Sequence, residues 1–243
     1  MTYSLQLYTV RGPLEEDLEG TVKRVAELGF TAVEPYNFVA NADALATALS
    51  KNGLTAPSGH APLLRANQDE IFQAAQKLGI GTVIDPHVDA AQWTTEADIK
   101  ETAKALNAAA AKGAEYGIAV GYHNHEFELE NRINGRSALE VLAENLDPRV
   151  VLEVDTYWAA VGGEEPVALL ERLGDRVRFI HIKDGPLTKV DKDQVAVGSG
   201  QMPIWDVIEA AKNLEAGVVE LDDFNGDIFD AVSDSLAYLK AGK

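Results

Sequence analysis

The chain has 243 residues, of which 46% are hydrophobic, and it carries 39 acidic against 21 basic residues, a formal net charge of −18. This composition is typical of a folded globular protein and excludes disorder, and the negative charge argues against nucleic acid and anionic membranes as partners. The chain has no cysteine, no basic signal-like start and no apolar run near the roughly 20 residues that span a membrane, so we expect a cytoplasmic protein without disulfides or thiolate metal sites.

A unit of one amphipathic stretch, one glycine and one short apolar run repeats along the chain. The helical spacing of apolar residues over Leu18–Leu28 predicts a first helix, and Gly29 follows it where a helix end favours the left-handed conformation. Thr95 with Asp98 predicts the capped start of a later helix. Eight short apolar runs rich in β-branched residues predict strands buried on both faces of a parallel sheet. In chain order they are Leu5–Tyr8, Ala32–Pro35, Thr55–Gly59, Thr82–Asp85, Ala119–His123, Val150–Asp155, Val177–Lys183 and Gly217–Leu221.

These elements predict one domain over residues 1–243, because no linker or low-complexity tract divides the chain. Eight alternating strand and helix units in a chain of this length predict an α/β fold, a single (β/α)8 TIM barrel. An open flavodoxin-like sheet is the alternative, but it usually has fewer strands. A dinucleotide-binding fold is disfavoured, since no G-x-G-x-x-G motif follows the first strand.

All five histidines lie at or just beyond the carboxyl ends of predicted strands. They are His60, His87, His123, His125 and His181. Barrel enzymes build their active sites at this end of the strands, where histidine supplies metal ligands, acid–base groups or hydrogen-bond donors. A single histidine there would be interpreted as structural, but five that converge on one rim indicate a functional site.

Carboxylates that interrupt apolar runs also indicate a functional site at the ends of the strands, because burying an unpaired charge is costly. Glu153 and Asp155 lie two residues apart in the sixth strand, and Glu220 ends the eighth. Asp155 is nearer the barrel mouth and is the better ligand, whereas Glu153 is expected to pair with a buried arginine. Carboxylate oxygens with an imidazole suit Mn2+, Mg2+ or Co2+, with Zn2+ as a further candidate. Such an ion would polarise a carbonyl and acidify the neighbouring C–H.

Six motifs carry a family resemblance over nearly the whole chain. In order they are SLQLYTVR, YHNHEFE, VDTYW, HIKD, GSGQMPIW and VVELD. Together they resemble the sugar phosphate isomerase/epimerase family, within the xylose isomerase-like barrel superfamily. The resemblance implies one divalent cation held from strands five to eight, in this chain by Glu128, Asp155, His181 and Glu220. Glu126, two residues before Glu128, is the alternative ligand in the strand-five motif.

The resemblance also implies roles for the residues around the cation. His60, His123 and His125 are expected to bind substrate or to support the ligands. Lys183 either neutralises negative charge that develops on an enediolate or forms a salt bridge with a neighbouring aspartate, Asp155 or Asp184. Trp158 either stacks on a sugar face or packs in the core.

The first functional hypothesis is an isomerase or epimerase that acts on a carbohydrate through a cis-enediolate, with Glu128 and Glu220 as acid and base. The alternative is a lyase that expels a hydroxyl from the same enolate. The segment HIKDGPLT is nearer to the branch that includes inosose dehydratases and keto-sugar lyases or epimerases, and ketose 3-epimerases carry a glutamate in strand five where this chain has His123. Two further classes are an endonuclease-IV-like DNA repair enzyme, disfavoured by the negative charge and the few histidines, and a non-catalytic sugar-binding barrel. The choice between monomer and homo-oligomer stays open.

Overall fold

The computed structural model describes residues 1–243 and contains one eight-stranded parallel sheet. Its strands are β1 Thr2–Gln6, β2 Ala32–Glu34, β3 Ser58–His60, β4 Thr82–Asp85, β5 Ala119–His123, β6 Val150–Asp155, β7 Val177–Ile182 and β8 Ala216–Val219. Neighbours in the sheet run in the order β2, β1, β8, β7, β6, β5, β4, β3. Consecutive strands therefore lie side by side, and only β2 and β3 remain to be joined.

The two ends of this sheet meet and nearly close a barrel. Parallel bridges connect Ala32 with Thr55 and Tyr36 with His60, which brings β2 beside β3. The predicted (β/α)8 TIM barrel is confirmed, and the open flavodoxin-like alternative is wrong.

Helices connect the strands around the outside of the barrel. They are α1 Arg11–Glu16, α2 Leu18–Leu28, α3 Ala42–Asn52, α4 Gln68–Leu78, α5 Glu96–Glu115, α6 Phe127–Glu130, α7 Ala138–Asn145, α8 Thr156–Val161, α9 Pro166–Leu173, α10 Ile204–Ala210 and α11 Ile228–Ala241. Short 3-10 helices span Leu7–Val10, Ala90–Trp93, Gly174–Arg176 and Asp191–Asp193, and a small antiparallel hairpin pairs Arg132–Ile133 with Arg136–Ser137. None of the helices combines the length and the apolarity needed to cross a membrane.

Local sequence signals set the ends of several helices. The Thr95 hydroxyl accepts a hydrogen bond from the backbone N–H of Asp98 at 3.2 Å, which confirms the predicted cap of α5. Gly29 ends α2 with a φ of 101°, a left-handed conformation that a side chain would strain.

The first strand ends earlier than predicted. The side chain of Gln6 accepts a hydrogen bond from the backbone N–H of Tyr8 at 3.1 Å, and this local bond turns Leu7–Val10 into a 3-10 helix. The prediction of a strand over Leu5–Tyr8 is therefore wrong at its carboxyl end. As a result Tyr8 leaves the sheet and lies at the mouth of the barrel.

Apolar packing divides between the outside and the inside of the barrel. A large cluster of 62 buried residues fills most of the core. A small separate cluster contains Ile84, Phe179 and Ala216, from β4, β7 and β8. Because β4 and β7 are not neighbours in the sheet, this contact crosses the barrel interior. The rest of the interior, toward the carboxyl ends of the strands, is occupied by charged and polar side chains.

Candidate metal centre and active site

A cavity of about 290 Å³ opens at the carboxyl ends of the strands. Its lining residues are Tyr8, Tyr36, Asn37, His60, Pro86, His87, His123, His125, Glu220 and Asp222. Four of the five histidines thus contribute to its wall, and the fifth, His181, is fully buried and in contact with Glu220.

Four buried side chains converge beside this cavity and are called the upper group: His123, Asp155, His181 and Glu220. One potential ligand atom from each lies within 4.8 Å of the others. His123 Nε2 and His181 Nδ1 each lie 3.9 Å from Asp155 Oδ2. His181 Nδ1 is also 2.6 Å from Glu220 Oε2. The upper group therefore contains two imidazoles and two carboxylates.

Deeper in the barrel lies a lower group of Glu34, His60 and Glu153. His60 Nε2 is 2.6 Å from Glu153 Oε2 and 3.2 Å from Glu34 Oε1. The potential ligand atoms of His60, His123, Glu153 and His181 also lie within 4.8 Å of one another. The expected arginine partner of Glu153 is wrong, because histidines from other strands occupy that position.

Lys183 supplies a buried positive charge to the upper group. Its ammonium nitrogen lies 2.9 Å from Asp155 Oδ2, 2.8 Å from Glu220 Oε2 and 2.6 Å from Asp222 Oδ2. Burial lowers the pKa of Lys183, but these three carboxylates outweigh it and raise the pKa well above the usual value. Of the two aspartates expected as salt-bridge partners, Asp155 is found in that role, whereas Asp184 accepts backbone N–H groups of its own loop.

The charges of the upper group depend on one another. Burial raises the pKa of Asp155 to about 6, against the opposing effect of Lys183. Burial also acts to raise the pKa of Glu220, but Lys183 and His181 hold it well below the usual value. Burial lowers the pKa of His181, yet Glu153 and Glu220 raise it well above the usual value. Glu220 is consequently ionised near neutral pH.

The upper group fits one divalent cation. Asp155 Oδ2 is buried and accepts no hydrogen bond. Lys183 forms an ion pair with this oxygen, but no donor group is aligned to form a hydrogen bond with it. Carboxylate oxygens combined with imidazole nitrogens are the donor set of Mn2+, Co2+ and Zn2+ sites. A cation held there would require unprotonated imidazole nitrogens, among them His181 Nδ1, which lies 2.6 Å from Glu220 Oε2.

Glu128 lies apart from the upper group. Its fully buried carboxylate accepts hydrogen bonds from the hydroxyl of Tyr122 at 2.5 Å and from the backbone N–H of His125 at 2.9 Å. Burial raises the pKa of Glu128 to about 8. The alternative, Glu126, is partly exposed and lies 3.5 Å from Lys189. Neither glutamate lines the cavity.

His123 occupies the position for which the sequence suggested Glu128. It is the last residue of β5 and pairs in register with Glu153 of β6, whereas Glu128 lies in α6, beyond the end of the strand. Proximity to a strand end was the signal in the sequence that favoured His123.

His125 is a neutral group in the cavity wall. Burial and the charge of Lys183 lower its pKa to about 4. Its ring stacks on Phe127 with centroids 5.6 Å apart and meets His87 edge-on at 5.5 Å. His125 Nδ1 is buried without a hydrogen-bond partner.

The aromatic residues that line the mouth of the cavity are Tyr8 and Tyr36, whereas the sequence suggested Trp158. Trp158 is buried outside the cavity lining, and its indole N–H donates to Asp222 Oδ2 at 3.2 Å. Tyr8 and Tyr36 line the cavity instead and meet edge-to-face with centroids 5.3 Å apart. Neither tyrosine is predictable as a site residue from the sequence, because Tyr8 lies in a predicted strand and Tyr36 follows one without a distinguishing motif.

Comparison with known sequences agrees with this fold. A sequence profile described as the xylose isomerase-like TIM barrel matches residues 22–242. An inosose dehydratase from Geobacillus kaustophilus is 32% identical over 100 residues, which cover 41% of this chain and 32% of that protein. An inosose dehydratase from Clostridium tetani is 31% identical over 91 residues, which cover 37% and 30%. The match therefore spans about a third of the length of these relatives.

Solved structures share the fold over nearly the whole chain. A sugar phosphate isomerase/epimerase from Parabacteroides distasonis has a TM-score of 0.81 at 24% identity, over 99% of this chain and 94% of that one. A probable 3-DHS dehydratase, AsbF from Bacillus anthracis, has a TM-score of 0.79 at 16% identity, over 100% of both. The IolI protein with a bound zinc atom has a TM-score of 0.74 at 15% identity, over 99% and 97%. At these identities the likeness establishes the fold alone.

Proposed function

Because the chain belongs to the xylose isomerase-like TIM barrel family, we propose that it is a metal-dependent lyase that removes water from an uncharged polyhydroxylated ketone. The observation that carries the proposal is the position of Glu128, whose buried carboxylate lies outside the cavity lining. An epimerase that used Glu128 and Glu220 on opposite faces of its substrate would need both carboxylates in the cavity. A dehydratase needs one base and one acid, and the inosose dehydratases matched by sequence support this choice.

Glu220 is the base in this proposal. It lines the cavity, and Lys183 and His181 keep it ionised by lowering its pKa, although burial acts to raise it. It accepts the proton from the carbon beside the substrate carbonyl and leaves an enolate. Lys183, whose ammonium lies 2.8 Å from Glu220, does not line the cavity and acts on the reaction through the charge of Glu220.

His60 is the acid in this proposal. It lines the cavity, and although burial lowers its pKa, Glu34 and Glu153 raise it above the usual value. Its imidazolium gives a proton to the hydroxyl on the next carbon, the C–O bond breaks, and the enolate electrons form a carbon–carbon double bond. The products are one enone and one water. His125 holds substrate hydroxyls as a neutral hydrogen-bonding group.

One divalent cation bound by His123, Asp155, His181 and Glu220 would supply Lewis-acid polarisation of the substrate carbonyl. This set differs from the ligands that the family resemblance implied, because His123 replaces Glu128. Two imidazoles in the donor set favour Zn2+, Co2+ or Mn2+ over Mg2+, which prefers oxygen ligands.

The cavity wall argues for a substrate without phosphate. No lysine or arginine lines it, whereas Glu220 and Asp222 do, and carboxylates repel a phosphate group. Its volume of about 290 Å³ lies at the small end of ligand pockets, roughly 300–1,000 Å³. We therefore propose a small, neutral ketose or inosose as the substrate class.

Incubation with unphosphorylated inososes and ketoses in D2O, followed by NMR and by ultraviolet absorption, tests the function. A dehydratase forms a conjugated enone that absorbs in the ultraviolet, with loss of one water. Solvent exchange that yields an isomer or epimer, with no enone from any of these compounds, would overturn the lyase in favour of an isomerase or epimerase.

A further inference from the structure

Each histidine of the upper group presents its two ring nitrogens to two different sets of carboxylates. His123 directs Nε2 toward Asp155 and Nδ1 toward Glu153 Oε2, at 3.1 Å. His181 does the reverse: its Nδ1 faces Glu220 and its Nε2 lies 2.9 Å from Glu34 Oε1 and 3.1 Å from Glu153 Oε2. The nitrogen that faces the carboxylates of the upper group is therefore Nε2 in His123 but Nδ1 in His181.

The carboxylates of the lower group decide which ring nitrogen carries a proton. Glu34 Oε1 already accepts a hydrogen bond from Gln6, and the ring nitrogens that lie 2.9–3.1 Å from Glu34 and Glu153 donate their hydrogens to these carboxylate oxygens. In a neutral imidazole the other nitrogen is then the unprotonated one. For His123 that nitrogen is Nε2 and for His181 it is Nδ1, and both face the upper group.

The lower group is itself held in place. Glu34 accepts hydrogen bonds from Gln6 Nε2 at 2.8 Å and from the Ser58 hydroxyl. Glu153 Oε2 also contacts His60 Nε2 at 2.6 Å. These groups lie on β1, β2, β3 and β6, so the two carboxylates are anchored from several sides of the barrel.

From this geometry we infer that Glu153 and Glu34 are positioning residues that hold His123 and His181 in opposite tautomers, so that both direct a lone pair at one cation. The inference depends on the cation site of the proposed function. Neither glutamate lines the cavity, so their effect on the reaction passes through the two histidines. Carboxylate partners of this kind fix the ring orientation of metal-binding histidines.

A second cation in the lower group is the competing interpretation. It would need the nitrogens that face Glu34 and Glu153 to be unprotonated. Glu153 Oε2 lies within 2.6–3.1 Å of three imidazole nitrogens, which are hydrogen-bond contacts. We therefore expect one cation for each chain and not two.

The ring nitrogens are identified directly by NMR of wild-type protein labelled with 15N-histidine and loaded with 113Cd2+. We expect cadmium–nitrogen coupling to Nε2 of His123 and to Nδ1 of His181, with one cadmium bound for each chain. Coupling to Nδ1 of His123 or Nε2 of His181, or two bound cadmium ions, would overturn the inference. This experiment needs no variant.

Two matched variants separate the contributions of the carboxylates. Glu153→Gln is expected to disturb the His123 signals most and Glu34→Gln those of His181, each with Cd2+ and Co2+ affinity lowered on the order of 10–100-fold. The control is Asp85→Asn, a buried strand-end carboxylate that accepts backbone N–H groups of Leu64 and His87; it should leave both histidines unchanged. Wild-type affinity and unchanged ring-nitrogen signals in both glutamine variants would contradict the inference.

The outcomes distinguish this inference from the proposed function. If wild-type protein binds no cation at the upper group, both fail. If cadmium couples to His123 and His181 but the glutamine variants bind it as wild type does, the positioning role fails and the cation site stands. Circular dichroism of each variant shows that it is folded, and a variant that does not fold leaves the wild-type assignment as the deciding result.

Discussion

Two buried carboxylates, Glu128 after β5 and Glu220 after β8, differ in what surrounds them and therefore in charge. Glu128 is surrounded by a tyrosine hydroxyl and a backbone N–H, so burial raises its pKa to about 8. Glu220 is buried as well, yet Lys183 and His181 keep its pKa well below the usual value. Burial alone makes a carboxylate neutral, whereas burial beside fixed positive charge keeps it ionised and available to a cation or a proton.

The largest expected effect comes from removing the ionised carboxylate. Glu220→Gln should lower kcat for dehydration on the order of 10³-fold, because a positioned base contributes roughly 10²–10⁴-fold. The steady-state rate of dehydration of a ketose or inosose that the wild type accepts measures it. The kcat of Glu128→Gln, measured in parallel, should fall far less. Equal losses of kcat in the two variants would contradict the different roles of Glu220 and Glu128.

The pH dependence of the free energy of unfolding tests whether Glu128 is protonated in the folded protein. The folded pKa of Glu128 is about 8, above the roughly 4.3 of an unfolded glutamate, so the folded state keeps a proton that the unfolded state releases. Stability from this group is complete below the unfolded pKa and is lost as pH rises toward 8. The loss between pH 5.5 and 8 is on the order of 3 kcal/mol.

Glu128→Gln removes this titration, so its free energy of unfolding in urea should fall less than that of wild type between these two pH values. All other groups titrate in both proteins and cancel in the difference. Parallel pH profiles for wild type and Glu128→Gln would show that Glu128 is ionised in the folded protein.

A smaller effect is expected from Trp158→Phe. This change removes the indole N–H that donates to Asp222, while Lys183 and Gln194 still donate to the same carboxylate. We expect a loss of about 1 kcal/mol in the free energy of unfolding and no change in KM, because Trp158 does not line the cavity. A large rise in KM would instead support the stacking role that the sequence suggested.

The sequence predicted the barrel well because its signals are local. Buried parallel strands are uninterrupted apolar runs, and a carboxylate such as Asp155 inside one of them is conspicuous. The first strand was misplaced because the Gln6 side chain bonds the backbone of Tyr8, and a single side-chain contact of this kind leaves no periodic pattern.

The partners of the charged residues were harder to predict because they depend on the register between strands. Glu153 meets His60 of β3 across the barrel interior and its in-register neighbour His123 of β5, over separations in the chain that no local pattern reports. Glu128 follows the strand in a short helix, and the course of that loop decides that its carboxylate meets Tyr122 instead of Asp155.

The central claim is that the upper group, without Glu128, binds one divalent cation. Metal content measured by mass spectrometry on purified wild type, Asp155→Asn and Glu128→Gln tests it most directly. We predict one Zn2+, Co2+ or Mn2+ for each chain in wild type and in Glu128→Gln, and a loss of the ion in Asp155→Asn. A metal-free wild type, or an ion that is lost in Glu128→Gln and kept in Asp155→Asn, would contradict the account.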